Sequence, residues 1–481
     1  FSWIYIAKSR VYNHYKTKAG VDMRVQADLS VGKGNRNEAG AAEESEPSRK
    51  LIKYFSEIRS FTEALTDPLE NEDFVIQIAE FTSPAKWHLA HTSWFFETFL
   101  LKKAVEGYQP VDSRYSYLFN SYYLQTGEPH CRAKRGNLSR PTVRDVFDYR
   151  RTINRQVCDF IESASGEELD KWTPVIEIGL NHEQQHQELL LTDLKFMFAQ
   201  NPLYPAYDEG GSRTEGKPVP RTWTGFEEGI YEIGHTGDGF GYDNEFPRHK
   251  VYIHDFELGN RLVTNGEYLE FMKAGGYEDP VWWLDEGYTA VVEEGLQSPL
   301  YWFRRDGEWV HYTLGGVCSP DLNEPVSHIS YYEADAFARW AGYRLPSEQE
   351  WEVAAAKADT ISGSNFNSGN GANSANEGIG GNGGHFIEGK RFHPAGPDPD
   401  IPGLQQMLGT LWEWTQSSYS AYPGYKPLQG ALGEYNGKFM SDKYVLRGGS
   451  CVTARHHIRK TYRNFFHAGA RWQFSGIRLA R

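Results

Sequence analysis

Four stretches between Ser48 and Asn201 space their apolar residues three or four positions apart, the period of a helix with one buried face. In "RKLIKYFSEIRSFTEALT" the set is Leu51, Tyr54, Phe55, Ile58 and Phe61. "HLAHTSWFFETFLLKKAV", "VRDVFDYRRTINRQVCDFIES" and "IEIGLNHEQQHQELLLTDLKFMFA" repeat the period, and Asp73 to Ile78 adds a short turn. The pattern predicts a four-helix bundle over residues 48–201, a scaffold that builds metal sites from inward-facing side chains. Residues 202–221 are rich in Pro and Gly and read as a linker. Residues 222–481 carry short alternating runs with many Gly and Trp, and short helices are predicted at Glu267 to Lys273 and Tyr332 to Trp340. Thr360 to Gly384 is low in complexity and reads as a mobile surface loop. The chain shows no internal repeat, and the pattern as a whole is α+β.

Residues 1–47 read as a disordered extension, and the Gly-, Glu-, Asn- and Ala-rich run from Gly32 to Lys50 carries that reading. The chain starts at Phe1 and its first Met is Met23, which fits a segment extended upstream of the true start; no signal-peptide core is visible. A net charge of -14 argues against nucleic acid or an anionic membrane as the main partner. No apolar run approaches the roughly 20 residues that span a bilayer. Cys131, Cys158, Cys318 and Cys451 stand far apart without a C-x-x-C pair, which argues against a zinc ribbon or a disulfide framework and favours a cytoplasmic setting.

"NHEQQHQELLL" contains His182-Glu183-Gln184-Gln185-His186, the H-E-x-x-H string of zinc proteases. Two His at i and i+4 share a helix face and can reach one ion. A second pair, His88 and His91, lies on another predicted helix and could complete a three-His set with open positions, suited to iron, copper, nickel or zinc. The protease reading lacks a third ligand. "HQELLLTDLK" follows His186 in place of the metzincin continuation, and Asp208 and Glu209 fall in the linker.

"SPAKWHLAHTSWFFETFLL", "FNSYYLQTGEPHCRAKRGNLSRPTV" and "GLNHEQQHQELLLTDLK" resemble the ergothioneine-biosynthetic sulfoxide synthases. "VTNGEYLEFMKAGGY", "PVSHISYYEADAFARWAGYRLPSEQEWEVAAA", "LWEWTQSSYSAYPGY" and "YVLRGGSCVTARHHIRKTYRNFFHAGARWQFSGIRLAR" extend the likeness over about residues 48–481. The resemblance implies a DinB-like four-helix bundle followed by a formylglycine-generating-enzyme-like domain of C-type-lectin type. It implies an Fe(II) oxygenase that joins the sulfur of cysteine or γ-glutamylcysteine to C2 of hercynine, using O2, and leaves a sulfoxide.

Carried over by position, His91, His182 and His186 are the implied iron ligands, with His88 a neighbour. Gln185, Asn464, Phe465 and Tyr435 are the implied hercynine contacts; an aromatic wall suits a quaternary ammonium. One branch of the family places a proton-donating Tyr where this chain has Leu432, and the other uses a Tyr pair in the helical domain, here Tyr122-Tyr123. A Tyr of ordinary pKa, about 10, is a proton donor at neutral pH. Branches using γ-glutamylcysteine carry an Asp where this chain has Phe466, which favours free cysteine. Arg132 is then the expected partner of the cysteine carboxylate, Arg471 a second one, and Arg135 and Arg140 are read as surface or structural. Cys451 has no partner cysteine nearby, as formylglycine generation requires, and reads as a small buried residue. The rival readings are a selenoneine- or ovothiol-type synthase, a zinc protease and a non-catalytic binding module. On the leading reading Glu183→Gln spares activity and His186→Ala abolishes it.

Overall fold

The structure, a computed structural model, describes residues 46–209, 216–362 and 383–481. The expected extension over 1–47 lies outside these except for Glu46 and Pro47, and most of the Thr360 to Gly384 run lies outside as well. Glu46 to Lys50, read above as disordered, begins helix α1 (Glu46–Ala64). An i,i+4 pair from Lys50 to Glu46 at 2.7 Å and an acid in the first turn support that start, a local signal that the polar composition of the run obscures.

Three more long helices complete the first half: α2 (Ala85–Phe96), α3 (Val143–Ser163) and α4 (Gly166–Ala199). The last two start on capping boxes, Thr142 with Asp145 and Ser165 with Glu168, which satisfy the free amides of the first turn. α2 runs on into a π turn at Glu97–Leu101. α1 and α2 both pack against α3 and α4, so the four helices share one core. Gly179 of α4 permits the closest approach: a Cβ there would sit 2.5 Å from the Phe96 ring. Every residue of α2 is buried, so the helix carrying His88 and His91 is the centre of the bundle.

Among the described residues the second half contains eleven strands in small sheets. β1 (Trp223–Phe226) pairs with β4 (Phe256–Gly259), and β2 (Gly229–Ile233) with β3 (His249–Ile253). β5 (Trp302–Arg305), β6 (Glu308–Thr313) and β7 (Gly316–Cys318) form an antiparallel three-stranded sheet. β8 (Trp412–Ser418), β9 (Tyr444–Arg447), β10 (Asn464–Phe466) and β11 (Ser475–Gly476) form a four-stranded sheet in the order β10-β9-β8-β11. The two expected short helices are α5 (Asn265–Lys273) and α7 (Tyr331–Trp340), each started by a capping box. α6 (Asp285–Glu294) and α8 (Glu348–Ser362) are additional.

The two halves are joined tightly. Tyr207 donates its N–H to the Leu314 carbonyl at 2.7 Å and its hydroxyl to the Leu65 carbonyl at 2.7 Å. Glu188 of α4 accepts from Thr453 at 2.6 Å and from the Trp412 indole. The Glu434 carboxylate takes the backbone N–H groups of Leu124 and Gln125 at 3.1 and 3.0 Å. α4 is therefore both a wall of the bundle and the surface on which the second half sits. No helix among the described residues is long and apolar enough to cross a membrane.

Candidate metal centre

α2 and α4 bring His91, His182 and His186 together, each offering a ring nitrogen within 4.8 Å of the others'. The two helices approach closely beside Gly179, one turn before His182. His91 Nε2 lies 3.1 Å from His182 Nε2, and the His186 ring centroid is 4.8 and 4.6 Å from those of His91 and His182. All three are buried. Burial pushes their pKa values down, His182 to about 3 and the other two well below the usual range, and at His91 and His186 the neighbouring imidazoles add to the effect. Three neutral imidazoles offering ring nitrogens within 4.8 Å of one another suit a divalent first-row metal.

Two of the three ring orientations, those of His91 and His186, are held from outside the cluster. His91 Nδ1 faces the Phe119 carbonyl at 2.6 Å, so it carries the proton and leaves Nε2 as a ligand atom. The His91 ring also stacks with Trp87 at 4.4 Å and with Trp94 at 5.4 Å. His88, one turn before His91 on the sequence, is a relay. Its Nε2 meets Asp193 Oδ2 at 3.1 Å, and its Nδ1 meets His186 Nδ1 at 2.8 Å. With the His88 proton on Nε2, His186 donates from Nδ1 and presents Nε2 inward.

Glu183 points the other way. It accepts from Arg59 at 2.5 Å, from Thr62 at 2.7 Å and from Arg150, all inside the bundle. Burial alone would raise its carboxyl, but Arg150 and Arg59 hold it down to about 2. A carboxylate neutralised by two guanidinium groups is not a general base for water at the metal, and this removes the protease reading.

Gln185 faces the second half, between two tyrosines. Its Oε1 accepts from the Tyr435 hydroxyl, and its Nε2 donates to the Tyr462 hydroxyl at 2.5 Å. Tyr462 lies 3.1 Å from His457 Nε2, and His457 Nδ1 lies 3.0 Å from Asn181 Oδ1. The chain sets which end of the Gln185 amide points where. Tyr435 packs edge-on to His182 at 5.9 Å and stacks on Tyr242 at 5.1 Å.

Tyr123 is wholly buried against Trp94, Phe95 and Phe99, and stacks on Tyr122 at 4.6 Å. Burial raises the Tyr122 phenol to about 12 and Tyr123 well above its ordinary value, so the unperturbed value of about 10 assumed from sequence does not apply; both remain protonated near neutrality. Phe439 links this pair to β10, 5.1 Å from Tyr122 and 5.9 Å from Phe465. Phe465 stacks on Tyr419 at 4.0 Å, and Asn464 Oδ1 accepts the Phe465 N–H at 2.9 Å. The Lys443 ammonium stands 5.5 Å from the Phe465 ring.

The four arginines singled out in the sequence occupy different settings. Arg132 is exposed and donates to the Phe81 carbonyl. Arg471 is committed elsewhere: Nε and Nη2 each donate to Glu333 at 2.8 Å, and Nη2 also donates to Ser298. A guanidinium already held bidentately by a carboxylate has little left for a substrate. Arg135, read as surface or structural, is buried at 4% exposure, 3.4 Å from the centre of the Trp87 ring. Its spacing of three from Arg132 was the available signal, since three residues make one turn of the 3₁₀ segment Arg132–Asn137. Arg140 is exposed as expected. Cys451 is fully buried, and burial pushes its thiol up to about 12.

A helical bundle and a second mixed domain meet over three neutral histidines that could hold a metal ion, and comparisons narrow the class. Residues 54–190 match the DinB superfamily and residues 217–481 the sulfatase-modifying factor enzyme 1-like domain. The chain is 32% identical to the hercynine oxygenase of Mycolicibacterium smegmatis over 411 residues, 83% of this chain and 91% of that protein. It is 31% identical to the hercynine oxygenases of Mycobacterium tuberculosis (90% of this chain, 98% of that one) and Mycolicibacterium thermoresistibile (91% and 94%). The chain belongs to the hercynine oxygenase family.

Proposed function

We propose that the protein is an iron(II) oxygenase that joins the sulfur of cysteine to C2 of hercynine and oxygenates that sulfur. The observation that carries this reading is the shared helix face of α4, where two neutral imidazoles stand beside a glutamine held at both ends. His91, His182 and His186 are the ligands for iron, which when bound supplies open positions for thiolate and dioxygen and the means to pass electrons between them. The overall change balances: hercynine, cysteine and O2 give the sulfoxide and one water, and the C2 and thiol hydrogens leave in the water.

The chain's residues orient the partners. Gln185, with its amide set by Tyr435 and Tyr462, holds the hercynine imidazole. Asn464, Phe465 and Tyr435 form the wall for the rest of that substrate. Tyr122 and Tyr123, protonated at neutral pH, supply a proton as oxygen is reduced. Arg132 and the buried Arg135 take the cysteine carboxylate. Phe466, packed on Trp472 at 5.3 Å, leaves no acid at that position for a glutamyl ammonium.

The test is product identification. Protein reconstituted with Fe(II) without air, then given hercynine, cysteine and O2, should yield a product with the mass of both substrates plus one oxygen and less two hydrogens. Conversion of histidine with no conversion of hercynine would sink the substrate assignment, and absence of any sulfur–imidazole product would sink the reaction.

A further inference from the structure

Asp193 lies on α4, seven residues beyond His186 and so on the same face, and is 5% exposed. Its Oδ2 is occupied by the Ser83 N–H at 2.8 Å and by His88 Nε2 at 3.1 Å. Its Oδ1 is buried with no hydrogen-bond partner among the described residues. Arg135 is tied to the same serine, with Nη1 donating to Ser83 Oγ at 2.9 Å, and its Nε is likewise buried without a partner among those residues. Two opposite charges thus share one anchor, and each has an unspent atom. A buried charged group left short of a hydrogen bond is costly, and such atoms are completed by a ligand or an ordered water.

Two further donors belong to this neighbourhood. The Tyr301 hydroxyl and the Trp472 indole N–H are buried without partners among the described residues. Tyr301 packs edge-on to His328 at 4.7 Å, and His328 Nδ1 faces the Trp472 carbonyl at 3.3 Å. The Trp472 ring lies 4.7 Å from Phe81, two residues before Ser83, and Asp193 is among the charges that raise the Tyr301 phenol, after burial. The Lys195 ammonium also stands here, 2.7 Å from His328 Nε2 and 4.9 Å from the Tyr301 ring centre. One carboxylate acceptor in a neighbourhood of several buried N–H and O–H donors is the complement of an α-amino acid zwitterion. The charges sit one ring away from the metal centre: Arg135 lies on Trp87, which stacks on His91, and Asp193 reaches His186 through His88.

We propose that Asp193 and Arg135 form an α-amino-acid subsite for the thiol donor, in which Asp193 Oδ1 accepts the free α-ammonium and thereby selects cysteine over N-acylated thiols. This rests on the oxygenase reading above. Acylation removes the positive charge and leaves a single amide N–H, so the carboxylate loses its counter-ion. A donor without an ammonium leaves Oδ1 unpaired.

The test compares thiol donors at saturating hercynine: cysteine, N-acetylcysteine and 3-mercaptopropionate, each followed by sulfoxide formation. In the wild type kcat/KM for cysteine should exceed that for the other two by about 10- to 100-fold, the range expected of one hydrogen-bonded charge. Asp193→Asn should lower kcat/KM for cysteine by a similar factor while leaving 3-mercaptopropionate within about threefold. His88→Gln, which disturbs the relay and spares Asp193 Oδ1, should affect all donors equally; iron content measured on each variant separates metal loss from substrate loss. Equal use of cysteine and N-acetylcysteine by the wild type overturns the subsite, as does an Asp193→Asn variant that lowers all donors alike. If no thiol gives a hercynine product, it is the oxygenase reading that fails.

Discussion

One helix, α4, presents two opposite electrostatic solutions. On the side of Glu183 a carboxylate is buried with Arg59 and Arg150 and keeps its charge, with a pKa of about 2. On the side of His182 and His186 the rings are buried without acids of their own and stay neutral. The string H-E-x-x-H is divided between these two sides: the glutamate holds the bundle together, and the histidines remain available as ligands. Glu188, five residues on, gives a third outcome. It is buried against the neutral donors Thr453 and Trp412, and burial raises it to about 7. Compensation by charge, not burial as such, decides which acid is ionised.

The largest effect expected is from His186→Ala, which removes a proposed iron ligand and the end of the relay; turnover should fall to background and bound metal should be lost on gel filtration, while folding persists. Retained turnover would break the division between the two sides. Next comes Glu183→Gln. The sequence reading expects this change to spare activity and says nothing of stability. The structure adds a stability cost: the substitution leaves two buried guanidinium groups short of their shared counter-charge, at about 3–5 kcal/mol, read by denaturant or thermal unfolding. The fraction that remains folded should still turn over.

His88→Phe should weaken metal binding by about 10- to 100-fold in chelator competition, with a smaller effect on stability. The smallest effect is from Glu188→Gln, and it has a sign that depends on pH. Glu188 has a folded pKa above its unfolded value, so the unfolded chain ionises first and stability is lost as pH rises from about 4.5 through about 7. Replacement by Gln should therefore stabilise the protein by about 1–3 kcal/mol at pH 8 and by little at pH 5. Glu183 behaves in the opposite way: its folded value is depressed, so its contribution is present above about 4.5 and is lost as pH falls toward 2. Parallel pH slopes in the two single variants would contradict the comparison.

The helical half was legible because its periodicity is local. The four long helices and the positions of His91, His182 and His186 on them follow from spacing within single segments. What was not legible depends on contacts far apart in sequence. Arg59 is 124 positions from Glu183, and Asp193 is 105 from His88, so neither the ion-pair centre nor the relay leaves a short motif. The sequence left Arg135 open between surface and structural, because burial of a charged side chain comes from tertiary packing on Trp87, against the usual preference of Arg for the surface. α8 was passed over because its Ala-rich face carries no strong three-four alternation of large residues. The Tyr462–His457 support of Gln185 joins residues on opposite halves and was equally invisible.

The central claim is that the three-histidine centre holds the iron at which hercynine and cysteine are joined. It is tested most directly by measuring iron content and oxygen uptake on the same anaerobically reconstituted samples of wild type and of the His91→Ala, His182→Ala and His186→Ala variants. The account predicts stoichiometric iron in the wild type alone, and oxygen uptake that requires hercynine and cysteine together and equals the sulfoxide formed. Wild-type uptake that is independent of hercynine, or full iron and full uptake in any of the three variants, would contradict it.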